Sequence, residues 1–412
     1  MIFFVLSLFL GCLFLIRNRK IIAFATIFPL FLTFFLYQIF GAFFFSHKND
    51  YFVNFLLLFC WGGYFLFWFF LFLFLCRYNY LGLFLHSLMM SSLSFFKIFP
   101  PIHPFILLYP SLNILLPCTS IPILNCFLLF IISGLLFLSK KIIKGILLAS
   151  GVTLVVFSTN LFTKPSKENI PPLRIMVIQV GLYFDKGGNT NNLFSDILSF
   201  IHKNPNIDLI VFSESPLLSF KTHYNKTFSE NLLKKIKQYR LTERYHLFLN
   251  FSGYKEINNV VTVYRHKNQE IINQKVALIP FIEKEGMLNR KQPMFSDYFF
   301  IDERRKNSEL EIKNRLIKTN ICYDAFFPPL HRNDNFMSVI QSSYNQLNYG
   351  KGYNELLTKG SVLAKFSVGL HSKYVINIQD HGGTVVLDEK WKTDDSIFNL
   401  SKETPFFLIE LK

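Results

Sequence analysis

Charged residues are distributed very unevenly along this chain of 412 residues. The first 162 residues contain nine Lys or Arg and one acid, Asp50, whereas the rest contains 34 basic and 26 acidic side chains. The first 162 residues also contain 32 of the 51 Phe. This pattern excludes a single water-soluble globule, a disordered chain and a disulfide-stapled mini-domain. It predicts an N-terminal membrane bundle joined to a second domain that is large enough to bury its own core.

Most of the apolar runs in this segment reach the roughly 17–25 residues that a helix needs to cross a bilayer. The runs lie at about 1–16, 21–45, 52–76, 79–98, 121–138 and 142–163. The stretch 100–117 is apolar but contains five prolines, so we interpret it as an interfacial or re-entrant piece. A seventh crossing there is the alternative. We therefore predict a transmembrane bundle of six helices, or seven, over 1–163 and a linker over 164–171.

Basic residues in the short loops predict the orientation of this bundle, because Lys and Arg favour the cytoplasmic side. Six spans place seven Lys or Arg in the cytoplasm and two outside, whereas seven spans place five in the cytoplasm and four outside. Both arrangements put the cluster Lys140–Lys144 inside, so residues 172–412 are expected outside. The net charge of +16 divides equally between the two parts, with no long basic stretch, so we expect no nucleic-acid partner. A basic face toward an anionic membrane surface fits better.

After the linker the hydrophobic period changes, and short apolar runs alternate with helical patterns. Helices are predicted at 192–202 and 230–238. Strands are predicted at 173–179, 208–212, 245–250, 260–264, 316–322, 338–341, 374–378, 384–387 and 406–412. Strands interleaved with helices indicate an α/β domain with buried sheets over 172–412.

Cys322 is the only cysteine of this second domain, so it has no disulfide partner within it. Such a thiol is either an inert buried residue or a nucleophile. Cys322 ends a strand-like run and precedes a turn, a corner at which a side chain is exposed. The next backbone N–H, that of Tyr323, could there stabilise an oxyanion.

Two further segments supply groups that a reactive thiol needs. Glu214 stands at the carboxyl end of a buried strand, where an acid is costly unless it is hydrogen-bonded or functional. Lys275 precedes an apolar run that ends in a second acid, Glu283. A plain buried ion pair is the alternative interpretation of Glu214 and Lys275.

Glu214, Lys275 and Cys322 follow one another along the chain in the order of the Glu-Lys-Cys catalytic triad of the nitrilase superfamily. The string around the cysteine, Ile321-Cys-Tyr-Asp324, also resembles that superfamily. The string Lys275–Glu283, KVALIPFIE, more specifically resembles the apolipoprotein N-acyltransferases, the membrane branch of that superfamily. Asn258–Thr262 resembles a strand of that family containing Asn and Thr, and Asp380–Gly383 resembles its late Asn-Asn-Gly turn. The resemblance extends from about residue 20 to 412. It implies an αββα sandwich for the second domain.

Several positions depart from the family pattern. Ile282 replaces a glycine, Asp324 stands where Glu is usual, and 341–345 differs from the family's Ser-Asn-Asp-Ala-Trp stretch. These departures concern the substrate more than the chemistry, because all three triad positions are intact.

The resemblance implies acyl transfer in a bacterial inner membrane, with the catalytic domain on the periplasmic side. Glu214 would act as the base, Cys322 as the nucleophile that carries an acyl-thioester, and Lys275 with the Tyr323 N–H as the oxyanion donors. Glu283, Asp324 and Asn258 would support them. A phospholipid would donate the acyl chain and a diacylglyceryl lipoprotein would accept it. We expect a monomer that needs no metal and no cofactor.

Two alternatives remain open at this stage. The first is a membrane-anchored amidase, in which water resolves the thioester. The second is an inactive lipid-binding homologue, suggested by the substituted stretch 341–345. The aromatic-rich loops 281–300 and 344–353 are either arms that dip into the membrane or ordinary surface loops. Asp380 and His381 adjoin and suggest a dyad, but a turn after Ile378 also explains both.

Overall fold

The computed structural model describes residues 79–92, 127–128, 131, 171–278, 283, 300, 308–327, 336–343, 361–362, 364–365, 373–389 and 391–411. These residues fall into two compact units. The first unit includes helix α1, Asn79–Ser92, and the second includes all the described strands. Apart from α1 and a few single residues, the predicted bundle of 1–163 lies outside the described residues.

Helix α1 has one apolar exposed face and one buried face that contains polar groups. Its exposed side chains are Tyr80, Leu81, Phe84, Leu85, Leu88 and Met89. On the buried face, the hydroxyls of Ser87 and Ser91 donate to carbonyl oxygens one turn earlier, at 2.9 and 2.8 Å. Within the described ranges, no helix has both the length and the hydropathy that crossing a bilayer requires.

The second unit is built from eleven described strands. In chain order they are β1 (Leu173–Ile178), β2 (Leu209–Phe212), β3 (His246–Ser252), β4 (Val260–His266), β5 (Gln269–Gln274), β6 (Leu310–Ile312), β7 (Arg315–Ile321), β8 (Phe336–Ser342), β9 (Tyr374–Gln379), β10 (Val385–Leu387) and β11 (Phe406–Leu411). The helices of this unit whose full extent is described are α2 (Val180–Asp185), α3 (Leu193–Lys203), α4 (His223–Gln238), α5 (Leu241–Arg244) and α6 (Asp395–Glu403).

The strands form two sheets of similar design. The first has the order β11-β1-β2-β3-β4-β5 and the second β10-β9-β8-β7-β6. In each, three parallel strands (β1 to β3, and β7 to β9) are flanked by antiparallel ones. Because β5 is antiparallel to β4 and β4 to β3, strand β5 runs in the same direction as β1, β2 and β3.

Alternation along the strands creates two apolar layers. One face of the first sheet packs on the second sheet, where side chains such as Val211 and Phe248 meet Ile317 and Val339. The opposite face, with side chains such as Ile210, packs under helices α3 and α4. At about 25 cal/mol per Å² of buried apolar surface, these two layers are the main source of stability.

The structure confirms the predicted α/β domain, and every predicted strand is present to within a few residues. Helix α4 begins at His223, seven residues before the predicted start, because the Thr222 side chain accepts a hydrogen bond from the Asn225 N–H and caps it. Strands β5 and β6 and helices α2, α5 and α6 were not predicted. The outer helix layer expected on the second sheet lies outside the described residues, as do most residues of the loops 281–300 and 344–353.

Candidate active site

The three residues of the predicted triad each follow the carboxyl end of a strand. Glu214 lies two residues after β2, and Lys275 and Cys322 immediately follow β5 and β7. Strands β2 and β5 run in the same direction in the first sheet, whereas β7 belongs to the second. The stacking of the two sheets therefore brings together residues that are far apart in sequence.

Lys275 is the centre of this cluster. Its Nζ lies 2.5 Å from Glu283 Oε1 and 3.9 Å from Glu214 Oε1. The Lys275 side chain is fully buried, and the two carboxylates are only 12% and 13% exposed. One cation between two buried acids offsets part of the cost of removing all three from water.

Cys322 lies beside this ion cluster and is buried, so the exposed corner predicted for it was wrong, because the stacked sheets and the ion cluster enclose the turn. Its thiol hydrogen-bonds to Glu214, and its sulfur interacts with the backbone N–H of Tyr323. The φ angle of Cys322 is +49°, in the left-handed region that costs a residue with a side chain on the order of 1 kcal/mol. A strained backbone at a reactive side chain is typical of a functional site.

Electrostatics in the site favour a protonated resting thiol. Burial raises the pKa of Cys322 well above its usual value, although the Lys275 charge opposes this. Burial likewise raises the pKa of Glu214 to about 7, again against the charge of Lys275. Burial alone would lower the pKa of Lys275, but the negative charges around it, Glu283 first, raise it instead. Near neutral pH, the site thus holds an ammonium and a carboxylate poised to take the thiol proton.

Asp324 joins the Cys322 turn to the segment that follows Lys275. Its carboxylate accepts from the Val276 N–H at 2.9 Å and from the Ala277 N–H at 2.5 Å. These are charge-assisted bonds to backbone groups, and they fix the nucleophile turn relative to the lysine. Asp324 is therefore a positioning residue.

An Asp324→Asn variant is expected to disturb this geometry without removing a reacting group. An amide accepts these two N–H groups less strongly, so we expect a loss of about 1–3 kcal/mol in unfolding free energy. The reaction of Cys322 should slow by about 10- to 100-fold through misplacement. Thermal unfolding and mass spectrometric alkylation rates measure both effects. The exposed Asp395→Asn is the matched control, and equal behaviour of the two variants would contradict the role of Asp324.

The remaining predicted supporting residues lie close to this cluster. Next to the predicted supporting residue Asn258, the Asn259 side chain donates to the Lys275 carbonyl oxygen at 2.8 Å. Asn259 is fully buried, whereas Asn258 is half-buried. The Tyr323 ring packs edge-on against Phe327 at 4.9 Å between centroids.

A fourth group at the same edge is Asp380, which follows β9 and which the sequence analysis explained by a turn rather than by a function. Asp380 is fully buried, and its negative charge raises the pKa of Glu214. The signal for it was its position, because it too directly follows the carboxyl end of a parallel strand. Among the described residues, no three His, Cys, Asp or Glu side chains are grouped as metal ligands would be.

The chain is similar to solved structures at low sequence identity. An amidase from Nesterenkonia sp. is 13% identical, with 60% of this chain and 94% of that chain covered and a TM-score of 0.38. Saccharomyces cerevisiae Nit3, a member of branch 10 of the nitrilase superfamily, is 15% identical over 56% and 87% of the two chains, with a TM-score of 0.35. The glutamine-dependent NAD+ synthetase from Acinetobacter baumannii is 14% identical, with a TM-score of 0.39. The similarity covers 59% of this chain and 46% of that one, so it spans about half of the synthetase. The sequence matches no protein-family model and no curated protein.

Proposed function

We propose that this chain is an acyltransferase that forms an acyl-thioester on Cys322. The observation that carries the proposal is the cluster of a buried lysine, two carboxylates and a strained cysteine at one edge of the stacked sheets. A buried ion pair kept only for stability requires neither the thiol nor the strain. Nucleophile, base and oxyanion donors are the parts that acyl transfer needs.

In the first half-reaction, Glu214 takes the proton from the Cys322 thiol as the sulfur attacks an ester carbonyl carbon. The new S–C bond converts the carbonyl oxygen to an oxyanion, which the Lys275 ammonium and the Tyr323 N–H stabilise. The ester C–O bond then breaks, and Glu214 returns its proton to the departing alcohol. The product at this stage is an acyl-thioester.

In the second half-reaction, an amine nitrogen attacks the thioester carbonyl carbon. The S–C bond breaks, an amide bond forms, and Glu214 moves the amine proton to the sulfur. Glu283 keeps the Lys275 ammonium in place through both steps, because the two groups are 2.5 Å apart.

We propose a phospholipid as the acyl donor and the N-terminal amine of a diacylglyceryl-cysteine lipoprotein as the acceptor. Two sequence features support this choice: the string Lys275–Glu283 and the apolar first 162 residues, which predict a membrane location. The exposed apolar face of helix α1 suits contact with lipid chains. We accordingly propose a bacterial inner-membrane protein whose catalytic domain faces the periplasm.

Intact mass measurement tests this function directly. Full-length protein in detergent, incubated with phosphatidylethanolamine vesicles, is expected to gain the mass of one fatty acyl group. Neutral hydroxylamine should remove that mass, and a Cys322→Ala variant should not acquire it. A wild-type protein that stays unmodified under conditions that preserve thioesters, or an acylated Cys322→Ala variant, would refute the proposal. Turnover of a small soluble amide without lipid would instead indicate an amidase.

A further inference from the structure

A second carboxylate lies behind the proposed base. Asp380 is fully buried, and its Oδ1 accepts from the Gly181 N–H at 2.8 Å and from the Ser213 hydroxyl at 2.6 Å. Ser213 directly precedes Glu214, and its Oγ also accepts from the Val180 N–H at 3.2 Å. Asp380 is thus bonded to the strand end that carries Glu214.

His381 connects this buried acid with the surface. Its Nε2 lies 3.6 Å from Asp380 Oδ2, and its Nδ1 lies 2.6 Å from Asp185 Oδ2. The side chains of Asp380, His381 and Asp185 are 1%, 18% and 39% exposed, so this row of three side chains extends from the interior to solvent. The hydrogen bond to Asp185 orients the imidazole, whereas its Nε2 lies beyond hydrogen-bond distance of Asp380 Oδ2 and acts on that carboxylate across a short gap.

The backbone is shaped to permit this contact. A Cβ at Gly181 would lie 2.6 Å from Asp380 Oδ2 and 2.7 Å from the His381 ring, which is closer than any side chain tolerates. Glycine at this position therefore lets helix α2 approach both residues. Gly382, the next residue after His381, has a φ of +106°, which only glycine adopts readily.

We propose that Asp380 is a positioning residue that strengthens Glu214 as the base of Cys322, and that His381, held in place by Asp185, keeps Asp380 charged. This inference rests on the role of Glu214 in the proposed function. Through Ser213, Asp380 fixes the backbone before Glu214. Through its negative charge, it makes loss of the Glu214 proton harder, and a carboxylate that holds its proton more tightly is the stronger base.

The other charges near Glu214 act in both directions. Lys275 favours the ionised form of Glu214, whereas Glu283 and Asp380 oppose it, and the Cys322 thiol donates a hydrogen bond to it. Asp380 itself is faced by His381, by the Gly181 N–H and by the hydroxyls of Ser213 and Ser215. If the Asp380 charge is removed, Glu283 is the one remaining carboxylate of this pair that opposes the effect of Lys275 on the pKa of Glu214.

The pH dependence of Cys322 alkylation tests the inference without any acyl donor. Full-length protein in detergent is treated with iodoacetamide between pH 5 and 9, and the Cys322 peptide is quantified by mass spectrometry. For Asp380→Asn, the pH of half-maximal alkylation rate is expected to fall by about half to one unit relative to wild type. On the rising part of the profile, the variant should therefore react about three- to tenfold faster.

Two further variants make the result decisive. Asp395→Asn, an exposed Asp of the same domain, should leave the midpoint unchanged. His381→Gln should move it downward, because His381 favours the charged form of Asp380 and its loss weakens that charge. This variant also serves if Asp380→Asn does not fold.

An unchanged or raised midpoint in Asp380→Asn overturns the inference, as does an equal shift in Asp395→Asn or an unchanged or raised midpoint in His381→Gln. A purely structural role would slow alkylation at every pH without moving the midpoint. If the alkylation midpoints shift as expected but the wild-type protein forms no acyl-thioester, the proposed acyl transfer from phospholipid is rejected and the role of Asp380 is retained. If wild type forms the thioester but the shifts are absent, only the role of Asp380 fails.

Discussion

Replacing Lys275 with Met is expected to reduce acyl-thioester formation on Cys322 by about 10²–10³-fold, because the variant loses a charged oxyanion donor. The same change should lower the free energy of unfolding by about 3–5 kcal/mol. Glu214 and Glu283 would then remain buried with no cation between them, since Lys275 contacts both. Single-turnover acylation and urea unfolding measure the two effects.

Lys186→Met is a suitable control, because Lys186 forms an ion pair with Glu403 at 3.1 Å on the surface. Such a pair contributes little, at most about 1 kcal/mol. A Lys275→Met variant that is as stable and as active as the control would show that the ion cluster is not required. Loss of stability with full activity would support the plain buried ion pair considered from the sequence.

A Glu214→Gln variant is expected to lose activity and gain stability at alkaline pH. Removing the general base should slow thioester formation by about 10²–10⁴-fold. The folded-state pKa of Glu214 is about 7, above its ordinary value of 4.5, because of burial. The folded protein therefore binds more protons than the unfolded chain between these values, and its stability falls as pH rises through that window.

Glutamine does not titrate, so the Glu214→Gln variant does not lose this part of its folding stability as the pH rises. Between pH 4 and pH 8, its stability relative to wild type should improve by about 1–3 kcal/mol. Denaturant midpoints at both pH values measure the change, with the exposed Glu410→Gln as control. A relative stability that stays constant with pH would show that Glu214 is not an ionised buried acid above neutral pH.

The strand-end positions of Glu214 and Cys322 could be predicted from the sequence, because each follows a run with the pattern of a strand. A run such as β2, LIVF, is buried on both faces, and its end marks the position at which the chain leaves the sheet. Acidic, basic and sulfur-containing residues directly after such runs lie at the same edge of stacked parallel sheets. Lys275 was instead located by the string Lys275–Glu283, because the strand before it, β5, is too polar to be recognised.

The elements that escaped prediction lack a strong apolar signal. Strand β5, QEIINQ, is mostly polar and is defined by its pairing with β4 rather than by its own pattern. Helix α6 depends on its N-cap, since the Asp394 side chain accepts from the Ser396 and Ile397 N–H groups. The sequence analysis explained Asp380 by a turn. Its hydrogen bonds to Gly181 and Ser213 join positions 199 and 167 residues apart, so the local sequence gives no sign of them. Such contacts appear only once the sheets are stacked.

The antiparallel pairing of β1 with β11 has a consequence for synthesis. Ile178 pairs with Phe406, roughly 230 residues later, and the partner strand covers the outer edge of β1. While the ribosome is still making the intervening residues, that edge remains open to other chains. The sheet that holds Glu214 is completed only after residue 411 has emerged, and such long-range closure is slow. Until β11 pairs with it, the outer edge of β1 in newly made copies is therefore a site at which aggregation can begin.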